Sequence, residues 1–296
     1  MFCLKINDLN KSYGRKKVLH NINITIPKGM ITGIVGPNGS GKTTLLKCLL
    51  GLVKYEGNVV FENNKSLECL IKDIGILIEF PQFIKNFTGK NNIDYFTYEK
   101  NYLNLNVNYY NELINLFNMQ EHINKKVRTY SLGTKQKLAL IMSFIKGKKL
   151  IVLDEPFNSL DADMVIQTRN CLQSLKEKGI TTIITSHNLE QLDRLCDKIF
   201  FIENGKIIKD YAKRVIKDSL YEIIFENEED SKKCYKLLLN KNEIYINENI
   251  IQILLKEDQK IQDVLKEVSN LCIKSINKKE ENLEKVYLDT FKGTKC

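Results

Sequence analysis

The sequence predicts an α/β chain. Its core is a mixed, mostly parallel sheet with an antiparallel β subdomain and an inserted helical lobe, and a small C-terminal α+β domain follows. Three observations lead there. From residue 1 to about residue 210, short β-rich runs alternate with stretches of helical period, the pattern of strands joined by crossover helices. Between Asn91 and Lys126 the strand signal gives way to helical segments such as NYYNELINLFNMQ. Beyond Val215 the alternation restarts on a smaller scale. The domain boundaries read 1–214, with the helical lobe at about 89–147, and 215–296.

In chain order, FCLKINDLNKSYG, LHNINITIPKG and MITGIVG read as strands separated by turns. A helix is expected from Lys42 to about Leu52, then strands at VVFE and DIGILIEF. SLGTKQKLALIMSFIKG is a helix with Ser131 as its N-cap. LIVLD, a helix near 163–178, TTIITS and a helix near 188–195 follow. KIFFIENGKII is a hairpin turning at Asn204–Gly205. The second domain offers a strand (LYEIIFEN), a helix (EEDSKKCYKLLL), a strand or hairpin (EIYINENIIQILL), a helix (IQDVLKEVSNLC) and a short strand (IKSI). That order suits a ferredoxin-like unit.

Composition excludes several classes. Hydrophobic residues make up 43% of 296, enough for a substantial core. The longest apolar candidate, LALIMSFI at 138–145, falls far short of a membrane span. The N-terminal MFCLKINDLNKSYG lacks the succession of a secretory signal, so a soluble, cytosolic chain is expected. The eight cysteines are scattered, with no CxxC, which argues against zinc. The net charge of +9 comes from lysines interspersed with acids and forms no basic block, so nucleic acid is not an expected partner.

Two motifs carry chemistry. GPNGSGKT (Gly36, Pro37, Asn38, Gly39, Ser40, Gly41, Lys42, Thr43), with Thr44 beside it, fits G-x-x-x-x-G-K-[ST] between a predicted strand and a predicted helix. Such a loop turns its backbone N–H groups onto phosphate oxygens, and the helix dipole adds to the attraction. Lys42 is expected on the β/γ-phosphates of ATP and the Thr43 hydroxyl on Mg²⁺. In LIVLDEP an apolar strand ends in Asp154 and Glu155, at the carboxyl edge where ligands collect in such sheets. Asp154 suits Mg²⁺, and Glu155 is placed to polarise an attacking water.

YSLGTKQ at 130–136, SLDAD at 159–163 and His187 in TTIITSHN complete the set. With these motifs in this order, the chain resembles the ATP-binding subunits of ABC transporters over residues 1 to about 210, with a P-loop ABC ATPase domain. The resemblance implies that Tyr13 stacks on adenine. It implies that Ser131 and Gly133 bind the γ-phosphate held by a second ATPase copy, in a homodimer. It implies that Asp161 communicates across that dimer and that His187 contacts γ-phosphate and orders the attacking water. Leu132 and Thr134 depart from the common LSGGQ signature, and Lys137 stands where arginine is usual.

The resemblance also decides between Glu79 and Gln82 in IGILIEFPQ. The family places a glutamine nine positions before a threonine, and counting back nine from Thr88 lands on Glu79. Gln82 is then a surface loop residue. A carboxylate accepts only and carries a full charge. Glu79 is therefore expected to join Thr43 and Asp154 as a metal ligand and to make nucleotide engagement more metal-dependent. This loop, with SLGTKQKL, is similar to the ATPases of bacitracin- and lantibiotic-type peptide exporters, as is the tail NLEKVYLDTFKG at 282–293. The implied function is to power separately encoded integral-membrane permease subunits from the cytoplasmic face of the cell membrane, exporting a peptide antibiotic or conferring immunity to it. Export of ions, lipids or polysaccharide is the alternative within the class. A non-transport ATPase of translation or DNA repair would need tandem cassettes or a coiled-coil insertion, and the chain has neither.

Overall fold

The computed structural model describes residues 2–64, 66–79, 83–97, 107–212, 219–239, 242–255 and 259–279. The chain divides into two compact units, Met1–Ala212 and Lys213–Cys296. In the first, β1 (Phe2–Tyr13), β2 (Lys16–Pro27) and β4 (Glu56–Phe61) form an antiparallel sheet in the order β2-β1-β4. β3 (Ile31–Val35), β5 (Ile74–Leu77), β6 (Leu150–Asp154), β7 (Thr181–Ser186), β8 (Lys198–Glu203) and β9 (Lys206–Ala212) form a second sheet, ordered β5-β6-β7-β3-β8-β9. All its pairings are parallel except β8–β9.

The two sheets differ for a sequence reason. β2 alternates buried and exposed residues, because one face packs on the core and the other meets water. β3, β6 and β7 are buried at every position, as expected of parallel strands covered on both faces. Between the sheets, Leu4, Ile6, Ile24 and Ile26 join Leu45, Leu46 and Leu49 of α1 (Lys42–Leu49) in one core.

The remaining helices of this unit are α2 (Leu67–Leu70), α3 (Gly89–Thr97), α4 (Val107–Leu116), α5 (Leu132–Lys146), α6 (Ala162–Glu177) and α7 (Leu189–Asp193). α3, α4 and α5 fall in the stretch read as a helical lobe. Ser131 caps α5 by accepting from Thr134 N, as expected.

Two boundaries differ from expectation. α1 stops at Leu49 rather than about Leu52, because Gly51, at a φ of 63 that glycine adopts at low cost, supports a Schellman ending. In it Gly51 N–H donates to Cys48 O and Leu52 N–H to Lys47 O. β5 stops at Leu77, short of Glu79, whose φ of 53 turns the chain out of the sheet.

The second unit is built from β10 (Ser219–Phe225), α8 (Glu228–Leu238), β11 (Glu243–Asn247), β12 (Ile250–Leu255), α9 (Ile261–Glu267) and β13 (Ile273–Lys279). This βαββαβ chain folds into a fully antiparallel sheet ordered β11-β12-β10-β13, the ferredoxin-like arrangement. The ambiguous EIYINENIIQILL segment is a hairpin, α9 ends earlier than expected, and β13 runs beyond IKSI. Ile223, Phe225, Ile251 and Ile253 pack with Cys234 and Leu238 of α8 to form its core.

Candidate active site

The loop 36–41 leaves β3 and enters α1. Gly39 and Gly41 take φ values of 78 and 107, open only to glycine at low cost. Gly36 is required for a different reason: a Cβ there would lie 2.1 Å from Ile202 O. The β8–β9 turn braces the loop from outside. Gly205 N–H donates to Ser40 O at 3.0 Å, and Gly205 O accepts from His20 N–H at 2.8 Å. Lys42 is buried and folds back over the loop, donating to Gly36 O at 2.9 Å and Pro37 O at 3.3 Å. Pro37, Asn38 and Gly39 are exposed, while Thr44 is half-buried. The Ser40 hydroxyl is buried without a partner among the described residues. A buried hydroxyl beside exposed, left-handed loop positions fits a cradle for phosphate oxygens.

Beside the loop, the ends of β6 and β7 hold the acidic pair. Thr43 Oγ1 donates to Asp154 Oδ2 at 2.7 Å, and Thr185 Oγ1 donates to Asp154 Oδ1 at 2.6 Å. Asp154 and Thr185 are register partners, so the second bond follows from the pairing of the strands. Glu155, at φ 47, donates its N–H to Thr185 Oγ1 at 3.0 Å and turns its carboxylate outward. One oxygen lies 3.7 Å from Lys42 Nζ, and the other is 2.9 Å from His187 Nδ1. Glu155 thus sits between a cation that can reach phosphate and an imidazole at the end of the next strand. A carboxylate held between a cation and an imidazole is suited to general-base chemistry.

Glu79 stands elsewhere than expected. Its carboxylate is on Lys47 Nζ at 2.6 Å, one turn of α1 beyond Thr43, rather than on Thr43 or Asp154. That hydrogen bond is the main cause raising the Lys47 pKa, with Tyr13 and Asp154 adding smaller Coulombic pulls. Tyr13 ends β1 and is 46% exposed, and Lys11 Nζ lies 4.4 Å from its ring centroid. Gln82 and the 282–293 tail lie outside the described residues.

Ser131, Gly133 and Asp161 form a separate group. The Ser131 and Asp161 side chains cap α5 and α6, accepting from Thr134 N and Met164 N. Gly133 packs against the next loop so tightly that a Cβ would meet Ser159 O at 2.9 Å. Gln136 Nε2 donates to Pro156 O at 3.0 Å, tying α5 to the residue after Glu155. The structure therefore gathers residues 36–43, Asp154, Glu155 and His187 into one site, while the Ser131 and Asp161 side chains bond to their own helices. Sequence reasoning missed Thr185, Lys47 and Gln136. Thr185 was within reach, as the last-but-one residue of a strand flanking LIVLD, and Gln136 closes YSLGTKQ; Lys47 carries no local signal.

Among known proteins, the ABC transporter family profile matches residues 19–158. The lantibiotic transport ATP-binding protein SrtF of Streptococcus pyogenes is 37% identical over 228 residues, covering 75% of this chain and 98% of that one. The bacitracin transport ATP-binding protein BcrA of Enterococcus faecalis is 28% identical over 298 residues, covering 96% of this chain and 94% of that one. Among solved structures, a dimeric bacterial ABC transporter cassette superposes with a TM-score of 0.64 at 24% identity, over 71% of this chain and 99% of that one.

Proposed function

Because this chain belongs to the ATP-binding subunits of ABC transporters, ATPases whose hydrolysis is coupled to transport, we propose that it powers a peptide-antibiotic exporter of the bacitracin or lantibiotic type. The names of the two relatives support that cargo. No helix among the described residues is long and apolar enough to cross a membrane. By analogy with that family, the motor acts through integral-membrane subunits on the cytoplasmic face. A surface suited to such a partner carries Phe87 and Tyr95, both exposed and packed edge to face, near a groove lined by Phe83, Phe96, Met142 and Lys146.

The observation that carries the mechanism is the clamping of Glu155 between Lys42 and His187 beside the Thr43–Asp154 pair. Lys42 and the loop amides hold the β/γ-phosphates of ATP, and Tyr13 stacks on its adenine. Thr43 and Asp154 offer the hard oxygen ligands that suit Mg²⁺, which would complete its shell from phosphate and water. Bound there, Mg²⁺ would neutralise charge developing on the phosphates. Glu155 takes the proton of the attacking water, and His187 holds that water and the γ-phosphate in line. Ser131 and Gly133, at the start of α5, close on the γ-phosphate held by a second copy, and Asp161 relays between the two copies. The dimeric relative supports this pairing. Differential binding of ATP to closed and open dimers then transmits the work. The 213–296 unit serves as an accessory domain.

The test has two arms. Glu155→Gln should abolish hydrolysis by about 10²–10⁴-fold while ATP is still bound, the range for loss of a general base. Affinity purification from detergent-solubilised membranes should bring down a polytopic permease, and deletion should sensitise cells to bacitracin or a lantibiotic. Recovery with ribosomes or DNA, or unchanged peptide sensitivity alongside a recovered permease, would replace this cargo with one of the alternatives.

A further inference from the structure

Glu79 and Glu155 occupy matching places in the sheet. β5 and β6 are parallel neighbours with Leu77 opposite Leu153, so each glutamate lies two residues past a paired leucine. Both take left-handed backbone, φ 53 and φ 47. Each carboxylate also meets a lysine of α1: Glu155 meets Lys42, and Glu79 meets Lys47. From the same helix Thr43 donates to Asp154. Thr43 and Lys47 are four residues apart and so share one face of α1, about 6 Å apart along its axis. The Lys47 ammonium thus holds the Glu79 carboxylate from a residue one turn beyond Thr43, near enough to Asp154 to feel its charge.

We propose that Lys47 is a positioning residue for Glu79, parking its carboxylate one helical turn from the Thr43–Asp154 pair until a metal–nucleotide complex draws it away. The proposal rests on the reading of Glu79 as a metal-side carboxylate. Two consequences follow from the charges. Paired with Lys47, Glu79 repels a metal-free triphosphate less than a bare carboxylate would. To reach a divalent cation beside Thr43, it must give up the ammonium, so the ion pair competes with the metal. The pair is partly exposed, with side chains 26% and 62% accessible, so its competition is modest and easily reversed. Such a pair suits a carboxylate that has to change partners during the nucleotide cycle.

Removing the ammonium should weaken metal-free binding and strengthen binding with metal. Both changes raise one ratio: the Kd of nucleotide without Mg²⁺ divided by its Kd with Mg²⁺. The measurement is titration of the purified full chain with a fluorescent ATP analogue, in EDTA and in saturating Mg²⁺. Lys47→Met should raise the ratio about two- to fivefold, the span of exposed ion pairs. Lys47→Gln should do the same, which guards against a variant that fails to fold. Lys47→Arg should stay at the wild-type value.

Glu79→Gln alone should lower the ratio. In that background, Lys47→Met should leave it where Glu79→Gln put it, since no carboxylate remains to be positioned. An unchanged or lowered ratio in both Lys47→Met and Lys47→Gln, or a rise that persists with Glu79→Gln, would overturn the role of Lys47. A wild-type ratio in Glu79→Gln would instead remove the metal-side reading of Glu79, and the proposal with it.

Discussion

Thr185 supports the Asp154 carboxylate and the Glu155 backbone, and replacing it by valine isolates that support. The hydroxyl is fully buried, donates to Asp154 Oδ1 at 2.6 Å and accepts from Glu155 N–H at 3.0 Å. Valine keeps the shape and removes both bonds. The short bond to a carboxylate is charge-assisted and contributes about 1.5–3 kcal/mol. Glu155 N–H retains Thr185 O at 3.2 Å, so its loss is small. The added methyl returns about 0.8 kcal/mol of apolar burial. The net cost is then about 1–2 kcal/mol, or roughly 2–8 °C in the melting temperature of a unit near 200 residues. The assay is thermal unfolding of nucleotide-free protein, with Thr185→Ser as control. Serine keeps the hydroxyl and should melt close to wild type. A valine variant that melts within about 1 °C of wild type, or a serine variant that loses as much as valine, would show that the hydroxyl does not hold Asp154 as argued.

Three further outcomes are expected. Gly205→Ala places a Cβ 1.9 Å from Val18 O at φ 71 and should destabilise by about 1–3 kcal/mol or more while weakening ATP binding, read by thermal melting and nucleotide titration. Burial raises the Asp94 pKa, partly offset by Lys90, so its cost to stability is absent below the ordinary value of 3.8 and grows as pH rises through the raised one. Asp94→Asn should therefore raise the denaturation midpoint at neutral pH and lose that advantage in acid. Burial lowers the Lys146 pKa, so its cost is full below the lowered value and fades as pH rises from there towards 10.5. Lys146→Met should melt higher than wild type at pH 7, with the gap narrowing in alkali.

Much of this protein is written locally in its sequence. The 36–43 loop is contiguous, its glycines and lysine adjacent in the chain, and the acidic pair ends an unbroken apolar strand. Parallel strands buried on both faces read as apolar runs, and Ser131 announces its helix by a capping hydroxyl. The hairpin at Asn204–Gly205 was equally legible, whereas in the second unit the EIYINENIIQILL segment could be read as one strand or as the hairpin it forms. Other features depend on residues far apart in sequence. Thr185 meets Asp154 only because β6 and β7 pair in one register, and Gly205 braces Ser40 across more than a hundred residues. Glu79 is the clearest case. Counting residues found the position, but the left-handed turn after β5 and the ammonium of Lys47 decided where its charge rests. A local motif can name the groups that do chemistry, whereas strand register and helix face determine which charges neutralise one another.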